Sequence, residues 1–155
     1  MSSEPDAGIY ARESAYLERY VQVGVASARV LSVSFPATPE EDAGTELALL
    51  DRIDAYLEGE AADFSDVDVA MTMPTDQRAV LETVREVPYG QQVSVSELAG
   101  MTPELDADAE GAHQLVRTAL AENPAPLVVP DHRVRDGPSA APPPVEQRLR
   151  SLEGL

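Results

Sequence analysis

The sequence has no cysteine, no lysine and no tryptophan, and only two phenylalanines and two isoleucines among its 155 residues. Without cysteine there is no disulfide, no thiolate metal site and no thiol nucleophile, which excludes a disulfide-stapled scaffold and any cysteine enzyme. No apolar run approaches the ~20 residues of a membrane-spanning helix. The opening Met1-Ser2-Ser3-Glu4-Pro5-Asp6 lacks a basic end and an apolar stretch. No secretory signal is therefore expected, and the cytoplasm is the expected location. Large side chains being scarce, the core must come from 22 alanines, 17 valines and 15 leucines.

What is abundant is negative charge. Asp and Glu number 28 against 11 basic residues, all of them Arg, for a net charge of -17. At low salt such a chain repels nucleic acid and anionic lipid. Carboxylates throughout, missing Lys and a light aliphatic core are the composition of halophilic proteins. At molar salt the Debye length is ~3 Å and the charge says little about partners. A halophilic, salt-requiring protein is the expectation.

Two parts are expected, residues 1–70 and 71–155. The first carries 4 Arg and 15 acids, the second 7 Arg and 13 acids. In the first, Val21, Val23 and Val25 alternate with Gln22 and Gly24. After Ala26-Ser27, Leu31, Val33 and Phe35 alternate with Ser32 and Ser34, so a hairpin is predicted. Leu49, Leu50, Ile53, Tyr56 and Leu57 recur at helical spacing up to Gly59. Residues 60–75 read as an acidic connector.

The second part reads as mostly helical. Thr75 is the predicted cap of a helix whose face is Val80, Leu81, Val84 and Val87. Ser94-Val95-Ser96-Glu97 has the form of a capping box opening a short helix that Gly100 should end. After an acidic turn, a helix is predicted from about Glu110 to Glu122. Its inner face is Ala112, Leu115, Val116, Ala119 and Leu120, with His113, Gln114, Arg117 and Ala121 outside. Helix, turn, helix at this spacing fits a helix-turn-helix reader, and fits an ordinary pair of packed helices as well. Leu127-Val128-Val129 reads as a short strand running into Pro130-Asp131-His132-Arg133-Val134.

Val87-Pro88-Tyr89-Gly90, Ser94, Glu97-Leu98-Ala99, Asn123-Pro124, Pro130 to Val134 and Glu153-Gly154 share the order and spacing of a known pattern. The chain resembles the alkylguanine-DNA alkyltransferases and their relatives without the acceptor cysteine, the alkyltransferase-like proteins. That family's pattern is Ile-Pro-x-Gly, Ser-Tyr, a recognition helix, Asn-Pro, Pro-Cys-His-Arg-Val and a late Glu-Gly. The resemblance implies mixed α/β architecture: an N-terminal ribonuclease-H-like α/β domain, then a winged helix-turn-helix-like domain. It implies a stoichiometric reaction without cofactor, in which Cys takes an alkyl group from a guanine flipped out of the duplex. His draws the thiol proton through a water and Glu orients the His. His132 then matches the base, Glu153 the orienter and Asn123 the hinge, while Asp131 stands at the cysteine position.

Other positions depart too. The family's Tyr is Val95, its arginine finger is Gln114 with Arg117 one turn later, and the glycines of its recognition helix are Arg117 and Thr118. The segment after Val134, which walls the family's alkyl pocket, is short and carries Pro138, Pro142, Pro143 and Pro144. Ser94, Gln114, Arg117 and Arg133 are the candidate DNA contacts. As residues alone, His132 also reads as a ring tied into its turn and Arg133 as an arginine paired with a carboxylate. Asp131, His132 and Glu153 are of metal-ligating type, but no metal is expected.

Three functions follow from this reading. The first is a monomeric, non-enzymatic protein that binds double-stranded DNA at alkylated guanine and signals to a repair protein. The second is an interaction or regulatory module without DNA binding. The third is an enzyme in which Asp131 attacks the alkyl group and His132 assists hydrolysis of the ester. The first expects a basic stripe around Gln114, Arg117, Arg133 and Arg135, the third an open cavity at Asp131.

Overall fold

The computed structural model describes residues 7–155. Its sheet has three antiparallel strands in the order β1-β2-β3: β1 Gly8–Ser14, β2 Arg19–Ala26 and β3 Arg29–Ser34. The predicted hairpin is β2 and β3. Ser27 and Ala28 join them with φ of 53° and 63°, the doubly left-handed backbone that lets a two-residue turn follow the strand twist. Val21, Val23 and Val25 of β2 face the core with Val30 and Val33 of β3. Strand β1 is an element the sequence pattern did not predict. It buries only Ala11 and Ser14 and is held by pairing with β2 and by Ala11 N and Ile9 O bonding Gly44.

Helix α1, Ala48–Leu57, turns Leu50, Ile53, Tyr56 and Leu57 inward. Arg12 ties β1 to it through Asp51 and Asp54, at 2.7 and 2.8 Å. The connector then runs past β3, where Val30 N bonds Asp68 O and Ala70 N bonds Val30 O, both at 2.8 Å.

Among the described residues four more α-helices follow: α2 Thr75–Val84, α3 Val95–Met101, α4 Ala112–Ala121 and α5 Pro143–Glu153, with a 3-10 turn, Asp131–Arg133, before the last. Helix α4 packs on α2 and α3. The capping box forms in full, with Ser94 Oγ accepting from Glu97 N and Glu97 reaching back to Ser94 N. Three expectations are corrected. Thr75 lies inside α2; the cap position is Pro74, and no side chain caps it, so α2 begins on proline geometry. Gly100 does not end α3, which continues to Met101; one glycine in a short helix costs too little to stop it. Leu127 to Val129 form no strand. Leu127 has φ 81°, and the backbone folds on itself so that Pro126 bridges Val129. An apolar run buried on all sides carries no periodicity that separates strand from turn. One apolar core runs through the sheet, α1 and the later helices.

Candidate functional site

Glu153, in the last turn of α5, is the hub of the buried polar cluster. Tyr56 of α1 donates to its Oε2 at 2.5 Å, and His132 Nε2 lies 2.6 Å from the same oxygen. Arg133 Nε and the Gly90 amide donate to Oε1, each at 2.9 Å, and Arg133 Nη2 reaches Oε2 at 3.2 Å. His132 and Arg133 sit in a single 3-10 turn, Asp131–Arg133. Burial pushes the Glu153 carboxyl up, but the hydrogen bonds from His132 and Arg133, the His132 charge and Tyr56 outweigh it and hold Glu153 at about 2. Burial, then the Glu153 charge and hydrogen bond, push the Tyr56 phenol up. Glu153 is therefore the anion, and His132 Nε2–H donates to it. The other ring nitrogen, Nδ1, is buried and bonds no protein group among the described residues.

Asp131 points away from this hub. It is 1% exposed. Ser139 Oγ donates to Oδ1 at 2.6 Å, and Asn123 Nδ2 and the Ala140 amide donate to Oδ2 at 3.0 and 2.9 Å. Burial pushes its carboxyl up against these lowering bonds. Asn123 also accepts from Ala125 N and donates to Val129 O, so one amide holds the 123–131 turn to the carboxylate. Asp131 and His132 therefore face different partners. Among the described residues no group of three His, Asp or Glu side chains is placed to hold a metal. The open cavity expected by the ester-forming reading is not at Asp131.

The candidate DNA contacts divide. Gln114 and Arg117 are exposed on α4, Gln114 donating only to Thr118 at 3.3 Å. Ser94 spends its oxygen on the cap of α3. Arg133 is 7% exposed, with Nη1 on Val87 O at 2.8 Å and its guanidinium 5.9 Å from the Tyr89 ring centre. It is the arginine paired with a carboxylate, not a surface cation. Arg135 pairs with Glu97 at 2.8 Å. The expected basic stripe thus reduces to Arg117, because the other guanidiniums are spent on carboxylates.

Tyr56, Gly90, Ser139 and the Val87 carbonyl join the site without having been named for it. Tyr56 carried one legible signal: a phenol on the inner face of a helix needs a buried partner.

The family model "6-O-methylguanine DNA methyltransferase, DNA binding domain" matches residues 75–141. The methylated-DNA–protein-cysteine methyltransferase of Methanopyrus kandleri is 34% identical over 108 residues, 68% of this chain and 77% of that protein. The chain belongs to this family. A DNA base-flipping protein of Thermus thermophilus is 38% identical over 104 residues, 64% of each chain. A variant of the Mycobacterium tuberculosis O6-methylguanine methyltransferase superposes with a TM-score of 0.72 at 24% identity, covering 95% of this chain and 90% of that one. The family is one of DNA-repair alkyltransferases, and the architecture is the alkyltransferase fold, helices with a small antiparallel sheet. Among the described residues no helix is long and apolar enough to cross a membrane.

Proposed function

We propose that this family member binds double-stranded DNA at alkylated guanine without accepting the alkyl group, and so marks the lesion for another repair protein. The carrying observation is Asp131. It follows Pro130 and precedes His132-Arg133-Val134, where the family pattern has its cysteine. There it is a buried, acceptor-only carboxylate held by Asn123, Ser139 and Ala140. At 1% exposure and with three donors on it this carboxylate is shielded from an incoming alkyl group, and the chain has no thiol to replace it. The base-and-orienter pair, His132 and Glu153, stands beside it with nothing to activate. The family match over 75–141 and the base-flipping relative in Thermus support DNA as partner.

In this reading residues 71–155 form a winged helix-turn-helix-like reader. Gln114 and Arg117 of α4 face the DNA and Ser94 stands at the start of α3, while residues 1–70 form a ribonuclease-H-like support. The protein acts as a monomer without cofactor, in a salt-rich cytoplasm. The test is titration with duplexes carrying O6-methylguanine or guanine in molar KCl, together with a radioactive methyl lesion. The expected result is binding that favours the lesion and no stable label on the protein. Methyl transfer to the protein would overturn it.

One observation favours the second reading, an interaction module without DNA binding. Arg133 and Arg135 are spent on Glu153 and Glu97, and Glu104, Asp106, Asp108 and Glu110 precede α4. That reading expects neither duplex to bind.

A further inference from the structure

The segment between the 3-10 turn and α5 is short, but it is fastened at almost every residue. Asp136 Oδ1 accepts from Val95 N, the first residue of α3, at 2.6 Å. Gly137 lies so deep that a Cβ there would stand 2.7 Å from Leu120 Cδ1, 3.1 Å from Val134 Cγ1 and 3.2 Å from Val95 Cγ2. Ser139 Oγ donates to Asp131 and accepts from Ala141 N at 3.0 Å, and the Ala140 amide donates to Asp131. Ala141 is itself buried, at 5% exposure. Two of these ties end on one carboxylate, and that carboxylate is what they cover.

We infer that Asp131 and Ser139 form a latch that holds residues 136–141 closed over the base site, and that its release is what admits a flipped base. The inference rests on the proposed function for its DNA arm. Its first premise is steric: Asp131 is 1% exposed, so no base reaches its neighbourhood while Ser139 and Ala140 lie on it. Its second is His132 Nδ1, a buried ring nitrogen that bonds no protein group among the described residues, in the residue next to the latch. Buried polar atoms are nearly always paired. An extruded guanine carries both N–H donors and ring-nitrogen acceptors, so it could pair Nδ1 in either protonation state, whereas the closed segment does not pair it. In an open–closed equilibrium the apparent affinity for a base is the intrinsic affinity multiplied by the open fraction. Ser139 and Asp131 therefore set how selectively the protein responds to a lesion, while contacts to the phosphates stay independent of them.

The test compares the wild-type protein with Ser139→Ala, which removes one donor to the carboxylate and the acceptor of Ala141 N and changes the side-chain volume little. Amide hydrogen exchange without DNA comes first. Loss of a charge-assisted bond should speed exchange at Ala140 about tenfold and leave α2 and α4 unaffected. Binding to duplexes with O6-methylguanine and with guanine comes second. The lesion preference of Ser139→Ala should exceed that of wild type about tenfold, with guanine-duplex affinity unchanged within about twofold. Asp131→Asn, which keeps the shape and loses an acceptor, should shift both readouts the same way. Unchanged exchange at Ala140 would show that Ser139 holds nothing. Faster exchange with an unchanged lesion preference would show that the segment is not the barrier to the base. Failure of every protein to bind either duplex would overturn the DNA reading itself and with it the admission of a base, and the exchange data would still report whether the tie exists.

Discussion

At the residue scale, Glu153 decides most. Its carboxylate is the counter-charge of Arg133, an ion pair with almost no solvent access. Removing one partner of such a pair leaves the other charge buried and costs about 3–5 kcal/mol. Glu153→Gln should therefore lower the melting temperature sharply, while Tyr56→Phe, which deletes one of several donors, should cost about 1 kcal/mol. Acid behaviour follows the same residue. Its folded value, about 2, lies below the ~4.3 of an unfolded glutamate. The stability it adds is complete above pH ~4.3 and is lost as pH falls toward 2. Asp131, pushed up by burial, acts with the opposite sign, its cost growing as pH rises above its unfolded value. Urea melts from pH 5 to 2 should show the acid loss in wild type and a flatter profile in Glu153→Gln. Asp131→Cys tests the neighbouring position. His132 follows it in sequence and is oriented by Glu153, so a reading of the turn alone expects rescue. But Gln114 is shorter than an intercalating arginine and uncharged, and Val95 cannot contact a phosphate. Extruding a base costs a few kcal/mol, which these side chains offset less fully than an arginine and a tyrosine would, so the flipped base is held too briefly for efficient transfer. Single-turnover transfer to the new thiol should be no faster from duplex than from free O6-methylguanine. Rapid transfer from the duplex would show that only the nucleophile is missing.

At the scale of elements, caps and turns matter more than propensity. The Ser94–Glu97 box closes the start of α3, and Ser94→Ala should cost about 1 kcal/mol in chemical denaturation. Elements with one apolar face were legible in advance. The valines of β2, the Leu50–Ile53–Leu57 face of α1 and the inner face of α4 all follow from periodicity. Strand β1 was not legible, because a strand that buries only an alanine and a serine has no pattern to read, and its stability comes from partners elsewhere in the chain. The turn at Leu127 was not legible, because full burial erases the alternation that marks a strand. Site legibility divides along the same line. Asp131, His132 and Glu153 could be named because they sit in a short string of specific spacing. The parts played by Tyr56 and Ser139 could not, since each matters only through a residue that folding brings to it. Arg133 shows the converse: an arginine beside a motif carries no sign of whether it faces solvent or a buried acid.

At the scale of the molecule, charge and core size act together. A net charge of -17 repels itself at low ionic strength, and a core of alanine and valine offers less apolar area per residue than one of leucine and phenylalanine. Dialysis from ~3 M to ~0.1 M salt, where the Debye length grows to ~10 Å, should lower the melting temperature. An unchanged melting curve would remove the halophilic reading. The connection of α5 to the rest has its own consequence, in the order of events during synthesis. Tyr16 donates to the carbonyl of Arg148, and Arg148 returns to the Tyr16 carbonyl and to Glu18, across 130 residues or more. Glu153 likewise meets Tyr56 from 97 residues away. A nascent chain emerging from the ribosome would therefore expose the phenol of Tyr56 without its acceptor and the guanidinium of Arg133 without its counter-charge until residue 153 had cleared the exit. Everything before that moment would be provisional, and α5 would act as the clasp that commits sheet, turn and site together.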